Sequence, residues 1–285
     1  MGDIEIETRW YSGLGGARIA ADSIGEGPPV LLLHGGGQTR GSWRRAAQTL
    51  ATRGYRAIAL DARGHGDSDW AKDGYSFDIF TGDLGAVIDQ VGGRPALVGA
   101  SLGGLTALMA LGDAQAPIAS ALVLVDITTR MEPKGVKEIH AFMSANPDGF
   151  ASVEEAADAV ARYMTDRPRP DNVSGLRRNL RERADGRLYW HWDPDFITGG
   201  GLDRPDPNSL MEAFEAAARR IAVPTLLVRG EHSNIVSDAG VERLRELIPA
   251  AEIAEVQGAG HMVAGDANTP FADAMIGFLE RVYPA

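Results

Sequence analysis

Short apolar runs alternate with longer amphipathic stretches along the first half of the chain. The apolar runs lie at 29–35, 55–64, 94–101 and 119–127. Between them, apolar residues recur with helical spacing over about 42–52, 77–91 and 102–112. Apolar runs separated by helices are typical of βαβ units. The pattern therefore predicts an α/β fold whose mostly parallel central sheet is flanked by helices.

The apolar runs stop after residue 127 and resume only at 224–230 and 251–258. Ser152 and Glu155 have the spacing of a capping box, which predicts that a helix begins there. The basic run at 176–183 is interpreted as the solvated face of a helix-like segment. We therefore expect a helical lid inserted into the core. The predicted core comprises residues 1–130 and 221–285, and the predicted lid comprises 131–220.

Composition excludes several classes of function. The net charge of −11 argues against a nucleic-acid partner, which requires a clustered basic surface. The absence of cysteine excludes disulfides, thiolate nucleophiles and cysteine-ligated metals. The first residues show no signal-peptide pattern, and no apolar run reaches the roughly 18 residues of a membrane helix. A cytoplasmic protein without membrane partners is expected, and its oligomeric state is not predicted.

The strongest candidate for chemistry is the stretch "LVGASLGGLTAL" at 97–108. Gly99, Ser101 and Gly103 form G-x-S-x-G between an apolar strand and an apolar helix, where this motif makes a nucleophile elbow. The glycines permit a turn too tight for larger side chains, and the turn exposes Ser101 Oγ at a helix N-terminus. Ser101 is predicted to be a nucleophile.

A nucleophilic serine needs a base, and the chain has six histidines. In this architecture the base follows the nucleophile and the acid along the chain, which selects His261 in the glycine-rich loop after the last strand. The other five are interpreted as loop or insertion residues: His34, His65, His140, His191 and His232.

A glycine-rich turn after the first parallel strand, at 34–37, offers backbone N–H groups for an oxyanion hole. Gly36 is predicted to supply one donor and Leu102, which follows the nucleophile, the other; Gly37 is assigned to the substrate pocket. A phosphate-binding loop would require the Lys-Ser/Thr ending of a P-loop or a G-x-G-x-x-G start, and neither is present. His34 is interpreted as a brace of this turn. No cofactor and no metal are expected.

Taken together, these motifs resemble those of the α/β-hydrolase superfamily, in its small serine-hydrolase form with a single lid. The resemblance rests on "HGGG", "DARGHGDS", "GASLGG", "LVLVD" and "GAGHMVAGD", and it covers about 17–127 and 221–283. It implies that "DARGHGDS" mainly builds the turn after the fourth strand. On that basis four of its residues are interpreted as structural: Asp61, Arg63, His65 and Asp67.

The acid of the triad is the open question. Most members of the superfamily carry it after the strand matching 224–230, where this chain has Asn234. A minority carry it at the end of the preceding core strand, and Asp126 occupies that end. An amide can orient a histidine but cannot stabilise the imidazolium that forms during catalysis. Asp126 is therefore predicted as the acid, with Asn234 as a neutral alternative and Glu231 or Asp238 as lesser ones.

The resulting expectation is a hydrolase that cleaves a carboxylic ester or lactone through an acyl-enzyme. A cofactor-free carbon–carbon hydrolase or lyase would use the same serine and base, and a non-catalytic receptor on the same fold remains open. The aromatic run at 188–196 also has two interpretations. Trp190 or Trp192 lines an apolar acyl pocket, or both anchor the lid to the core.

Overall fold

The computed structural model describes residues 5–164, 169, 171–199, 206–260 and 269–285. The strands are β1 Ile6–Ser12, β2 Arg18–Ile24, β3 Pro29–Leu33, β4 Arg56–Leu60, β5 Ala96–Ala100, β6 Ala121–Val125, β7 Leu180–Glu182, β8 Leu188–Trp190, β9 Thr225–Gly230 and β10 Glu252–Val256. The helices are α1 Arg44–Thr52, α2 Phe77–Val91, α3 Leu102–Asp113, α4 Pro133–Ser144, α5 Val153–Tyr163, α6 Pro194–Thr198, α7 Pro207–Ala218, α8 Asp238–Leu247 and α9 Thr269–Val282.

Eight strands form one sheet in the order β1-β2-β4-β3-β5-β6-β9-β10. The pairs β1–β2 and β2–β4 are antiparallel, and the remaining pairs are parallel. The carboxyl ends of the parallel strands therefore share one edge of the sheet, where loops from distant parts of the chain meet. In open α/β sheets this edge is where ligands bind.

Apolar side chains fill both faces of the sheet, because its central strands are buried on both sides. One face packs against α2, α3, α7 and α8, with Leu84, Leu108, Phe214 and Leu244 in its core. The other packs against α1 and α9, and includes Leu50. The predicted α/β-hydrolase fold with a mostly parallel sheet is confirmed.

Two features of the fold depart from the sequence patterns. Strand β1 lacked an apolar signal because it is an edge strand whose residues are mostly solvent-exposed. Strand β2 is largely buried, but Arg18, Asp22 and Ser23 interrupt its apolar pattern. The prediction of a helix-like segment at 176–183 holds only for its first half: a 3-10 helix over Ser174–Asn179 leads into β7. The strand forms because Leu180 is buried in pairing with Trp190 of β8, and this tertiary contact outweighs local helix propensity.

The chain between β6 and β9 has its own apolar cluster, which includes Met143, Phe150, Trp190 and Trp192. Helix α5 begins as its capping box predicts, because Ser152 Oγ accepts the N–H of Glu155. None of the helices in the described ranges is long and apolar enough to cross a membrane.

Candidate active site

Ser101 stands at a strained turn between β5 and α3. Its φ is 46°, a left-handed conformation that non-glycine residues rarely adopt. The turn is possible only because Gly99 and Gly103 have no side chain. A Cβ on Gly99 would lie 2.5 Å from the Gly103 carbonyl group, and one on Gly103 would lie 2.4 Å from the oxygen of Leu33. The close backbone approach explains the G-x-S-x-G spacing, and it leaves Ser101 lining a large cavity.

Asp126 leaves the sheet beside Ser101. Ala100 of β5 pairs with Val125 of β6, so the next residues, Ser101 and Asp126, follow adjacent strands side by side. Asp126 also has a positive φ, of 47°. Within the described residues only Asn146 joins these two as a non-glycine residue with positive φ. Strained backbone persists only where the surrounding structure holds it in place, and it is concentrated at functional sites.

The carboxylate of Asp126 is fully buried and firmly oriented. Its Oδ1 accepts the backbone N–H of Gly230 at 2.9 Å, and its Oδ2 accepts the hydroxyl of Ser233 at 2.6 Å. Ser233 is in turn fixed by accepting the N–H groups of Ile235 and Val236. The sequence arguments missed Ser233; the available signal was a small hydroxyl residue just after β9, next to the position assigned to the acid.

Asn234 points in another direction. Its side chain is exposed, and its Nδ2 donates to Glu138 Oε2 of α4 at 2.7 Å. The backbone around Asn234 also packs tightly against that helix, since a Cβ on Gly135 would lie 2.3 Å from the Asn234 oxygen. The structure thus brings Asp126, and not Asn234, to the strand end beside Ser101.

The predicted base, His261, lies outside the described residues. The chain just before it is described, and a Cβ on Gly230 would lie 2.5 Å from the oxygens of both Ala259 and Gly260. Gly230 is the residue whose N–H binds Asp126. The residue that precedes His261 therefore packs against the backbone that holds the Asp126 carboxylate.

The turn at 34–37 lies against the elbow, since a Cβ on Gly35 would lie 3.3 Å from Ser101 Cβ. The N–H groups of Gly36 and Leu102 have no acceptor among the residues the structure describes. Gly36, Gly37, Ser101 and Leu102 all line the same cavity. Two N–H donors and a hydroxyl thus meet at one surface, which is the arrangement required to stabilise an oxyanion next to a nucleophile.

Three buried histidines surround this turn, and every ring nitrogen of the three faces a backbone group. His34 Nε2 accepts the N–H of Ala62 at 3.0 Å, and its Nδ1 donates to the Gly35 oxygen at 2.8 Å. His65 Nε2 accepts the N–H of Gly37 at 3.1 Å, and its Nδ1 donates to the Arg63 oxygen at 3.2 Å.

His191 comes from the segment between β8 and α6. Its Nδ1 accepts the N–H of Gly66 at 2.8 Å, and its Nε2 donates to the Gly37 oxygen at 3.2 Å. In each of the three rings one nitrogen accepts a backbone N–H and therefore carries no proton. Each ring is thus neutral, with its single proton on the other nitrogen. No lone pair of this cluster is left for a metal.

Burial accounts for the neutral state. It lowers the pKa of His34, and it lowers the pKa of His65 well below 6.5, with the neighbouring rings adding to the effect. Burial also lowers the pKa of His191 to about 3. A protonated ring would be charged without the hydration that water gives it. Its second N–H would also point at the backbone N–H group that the neutral ring accepts, so the two donors would repel each other.

Apolar side chains from the inserted segment cover the turn. A Cβ on Gly36 would lie 3.6 Å from the Phe196 ring, and one on Gly37 would lie 3.1 Å from Met143 Cε and 3.4 Å from Trp192 Cζ3. Trp190 stacks on Trp192 with ring centroids 5.0 Å apart. Both tryptophans line the cavity while remaining largely buried.

Comparison with known proteins agrees with this fold. The chain is 31% identical over 260 residues to the sn-1-specific diacylglycerol lipase ABHD11 of Mus musculus, covering 88% of this chain and 81% of the relative. It is 30% identical over 270 residues to the esterase Rv0045c of Mycobacterium tuberculosis, covering 90% and 84%. The crystal structure of E-2-(acetamidomethylene)succinate hydrolase superposes with a TM-score of 0.84 at 23% identity, covering 97% of this chain and all of that one. The sequence profile of the alpha/beta hydrolase fold matches residues 28–267, and the chain belongs to that family.

Proposed function

We propose that this protein is a serine hydrolase that cleaves a carboxylic ester or a lactone through an acyl-enzyme. His261 takes the proton of Ser101 as Oγ attacks the carbonyl carbon, and Asp126 stabilises the imidazolium that results. The Gly36 and Leu102 N–H groups hold the oxyanion. The leaving alkoxide takes the proton from His261, and water then attacks the acyl-enzyme with His261 as base.

One observation carries the proposal. A strained, cavity-facing serine lies beside two backbone N–H groups that have no acceptor within the described ranges. An oriented donor pair next to a hydroxyl is costly to leave unsatisfied unless a ligand or water uses it. The names of the two relatives, a lipase and an esterase, support ester bonds as the target.

Labelling with a fluorophosphonate tests the nucleophile. The native protein is expected to be labelled at Ser101, and a Ser101→Ala variant, which removes the attacking oxygen, is expected to lose both labelling and ester turnover. Peptide mapping locates the label, and a melting curve shows that the variant is folded. A native protein that is not labelled, beside a known serine hydrolase that is, would support a binding protein and reject the proposal.

A panel of substrates separates esters from the carbon–carbon alternative. Neutral and anionic esters, lactones and a 2-hydroxy-6-oxo-dienoate would be screened against the native protein and Ser101→Ala. The dienoate is of the kind named for a hydrolase of Metapseudomonas resinovorans to which the chain is 27% identical over 286 residues. Ester or lactone turnover that depends on Ser101 supports the proposal. Turnover of the dienoate alone, with the same dependence on Ser101, would assign a carbon–carbon hydrolase instead.

We propose that the segment 131–220 is a lid over this site, and that its tryptophans have different roles. Trp192 lies beside the turn, where a Cβ on Gly37 would be 3.4 Å from its ring, whereas Trp190 packs against Phe150, at 5.0 Å between ring centroids. Trp192→Ala is therefore expected to enlarge the acyl pocket and to shift kcat/KM toward longer acyl chains by about tenfold. Trp190→Ala is expected mainly to cost about 3–5 kcal/mol of stability.

Rates with butyrate and decanoate esters, together with urea denaturation, measure both effects. An unchanged ratio of the two rates in Trp192→Ala would contradict the pocket assignment and leave both tryptophans as anchors.

A further inference from the structure

The three buried histidines act on three successive peptide planes of the turn at 34–37. His34 binds the oxygen of the Gly35–Gly36 peptide, and His65 accepts the N–H of the Gly36–Gly37 peptide. His191 donates to the oxygen of the Gly37–Gln38 peptide. A glycine-rich segment has the greatest conformational freedom in a chain, so three external contacts are needed to hold it in one conformation.

The first of these planes carries the proposed oxyanion donor. In a trans peptide the C=O and N–H groups point in opposite directions. The Gly35 oxygen accepts from His34 Nδ1 at 2.8 Å and from the Gln38 N–H at 3.1 Å. These two bonds set the direction of the Gly36 N–H. The direction holds only while the far end of the turn, at Gly37 and Gln38, stays in place.

His191 holds that far end, and it comes from the inserted segment. It lies 154 residues after Gly37 in the chain, whereas His34 and His65 belong to the core. We infer that His191 is a positioning residue of the reaction: through the Gly37 carbonyl it aims the Gly36 N–H at the oxyanion, so the hole is complete only when the inserted segment is docked. This inference rests on the oxyanion role proposed for Gly36.

The ring of His191 is itself placed with little freedom. It is 1% exposed and packs edge-on against Trp192, with ring centroids 5.4 Å apart at 88°. Two residues later, the N–H of Asp193 donates to the Gly64 oxygen at 2.8 Å, and Asp193 Oδ2 accepts the hydroxyl of Tyr75 at 2.6 Å. The segment is thus fastened to the core two residues after the imidazole, which adds to the rigidity that a positioning residue requires.

The two nitrogens of His191 have separable tasks, and this makes the inference testable. Nδ1 binds Gly66 and ties the segment to the core, while Nε2 binds Gly37 and holds the turn. In His191→Asn, the side-chain oxygen can replace Nδ1, but no atom reaches the position of Nε2. In His191→Gln, the amide offers one acceptor and one donor at a longer reach. Asparagine therefore removes the contact with the turn and keeps the tie to the core.

We expect His191→Asn to lower kcat, and the rate of Ser101 labelling by a fluorophosphonate, by about 10- to 100-fold, because a misaimed donor loses much of its effect on the transition state. KM is expected to change less than about threefold, since the contact acts mainly on the transition state. His191→Gln is expected to restore most of the rate. Tyr189→Phe is the matched control: its hydroxyl binds only Asp185 among the described residues, on the outer side of β8.

Several outcomes would overturn the inference. A folded His191→Asn with labelling and turnover within twofold of the native protein would show that Gly37 does not need this contact. Equal losses in His191→Gln and His191→Asn, with unchanged melting temperatures, would show that the hydrogen bond is not the cause. If His191→Asn does not fold, a native-like rate in His191→Gln supports the inference and a 10-fold or greater loss in that variant rejects it. A native protein that takes no label at all would instead reject the proposed function.

Discussion

Replacing Asp126 with asparagine is expected to lower kcat by about 10⁴, with little change in KM or in melting temperature. In a serine triad, an amide in place of the carboxylate costs about this factor, because the imidazolium is no longer stabilised and the histidine adopts the wrong tautomer. The asparagine amide has nearly the same shape as the buried carboxylate, so its Oδ1 can still accept the Gly230 N–H. Steady-state kinetics with the best ester of the panel measures the effect.

Asn234→Ala is the matched control, because it removes the other candidate. Its side chain binds Glu138 at the surface, so a change of less than about threefold is expected. A large loss of activity in Asn234→Ala beside a nearly unaffected Asp126→Asn would reject Asp126 as the acid.

A rescue variant tests the same assignment. Ser233 Oγ lies 2.6 Å from Asp126 Oδ2, so Ser233→Asp is expected to restore part of the activity of Asp126→Asn.

The free energy of unfolding is expected to fall steeply as the pH drops from 6.5 to 5. His34, His65 and His191 are neutral in the folded protein because burial lowers the pKa of each. In the unfolded chain a histidine titrates near 6.5, so below that pH the unfolded state binds more protons and stability is lost. Each histidine contributes up to about 1.4 kcal/mol per pH unit, and three contribute up to about 4.

Nearby charges do not reverse this sign. Asp61 and Arg40 act in opposite directions on the pKa of His34, and Asp67 and Arg181 do the same for that of His191, so burial decides. Urea denaturation at pH 7, 6, 5.5 and 5 measures the slope. His191→Gln removes one titrating group and is expected to reduce the slope of the unfolding free energy by up to about 1.4 kcal/mol per pH unit. A free energy of unfolding that stays constant over this range would contradict the neutral assignment.

The sheet was predictable where its strands are buried on both faces. The segments that form β3 and β5 are continuously apolar, and several such short runs in succession are typical of strands covered on both faces. Strand β1 was not predictable in this way, because an edge strand that faces solvent carries polar residues on both sides. A different limit explains Leu180–Glu182, where pairing with β8 outweighs a sequence with helical spacing.

The site was predictable where a local turn defines it. Ser101 and Gly36 were identified from glycines that stand next to strands, and the structure places both at one cavity. Their catalytic roles, and that of His261, stay predictions. The acid was ambiguous in the sequence because the choice depends on which strands are neighbours: Ser233 and Asp126 meet only because β6 and β9 pair. No sequence pattern pointed to the contact between His191 and Gly37.

The hydrogen bond from His191 to Gly37 has a consequence for recombination among relatives. Inserted segments are natural units to exchange when a new selectivity is wanted, because they cover the pocket and leave the core untouched. Here such an exchange would also replace the imidazole that meets the Gly37 carbonyl, so a chimaera would change its catalytic rate together with its choice of substrate. A segment taken from a relative would have to bring a hydrogen-bond donor to the Gly37 carbonyl. Otherwise the turn at 34–37 would have to be redesigned so that it keeps its conformation without that contact.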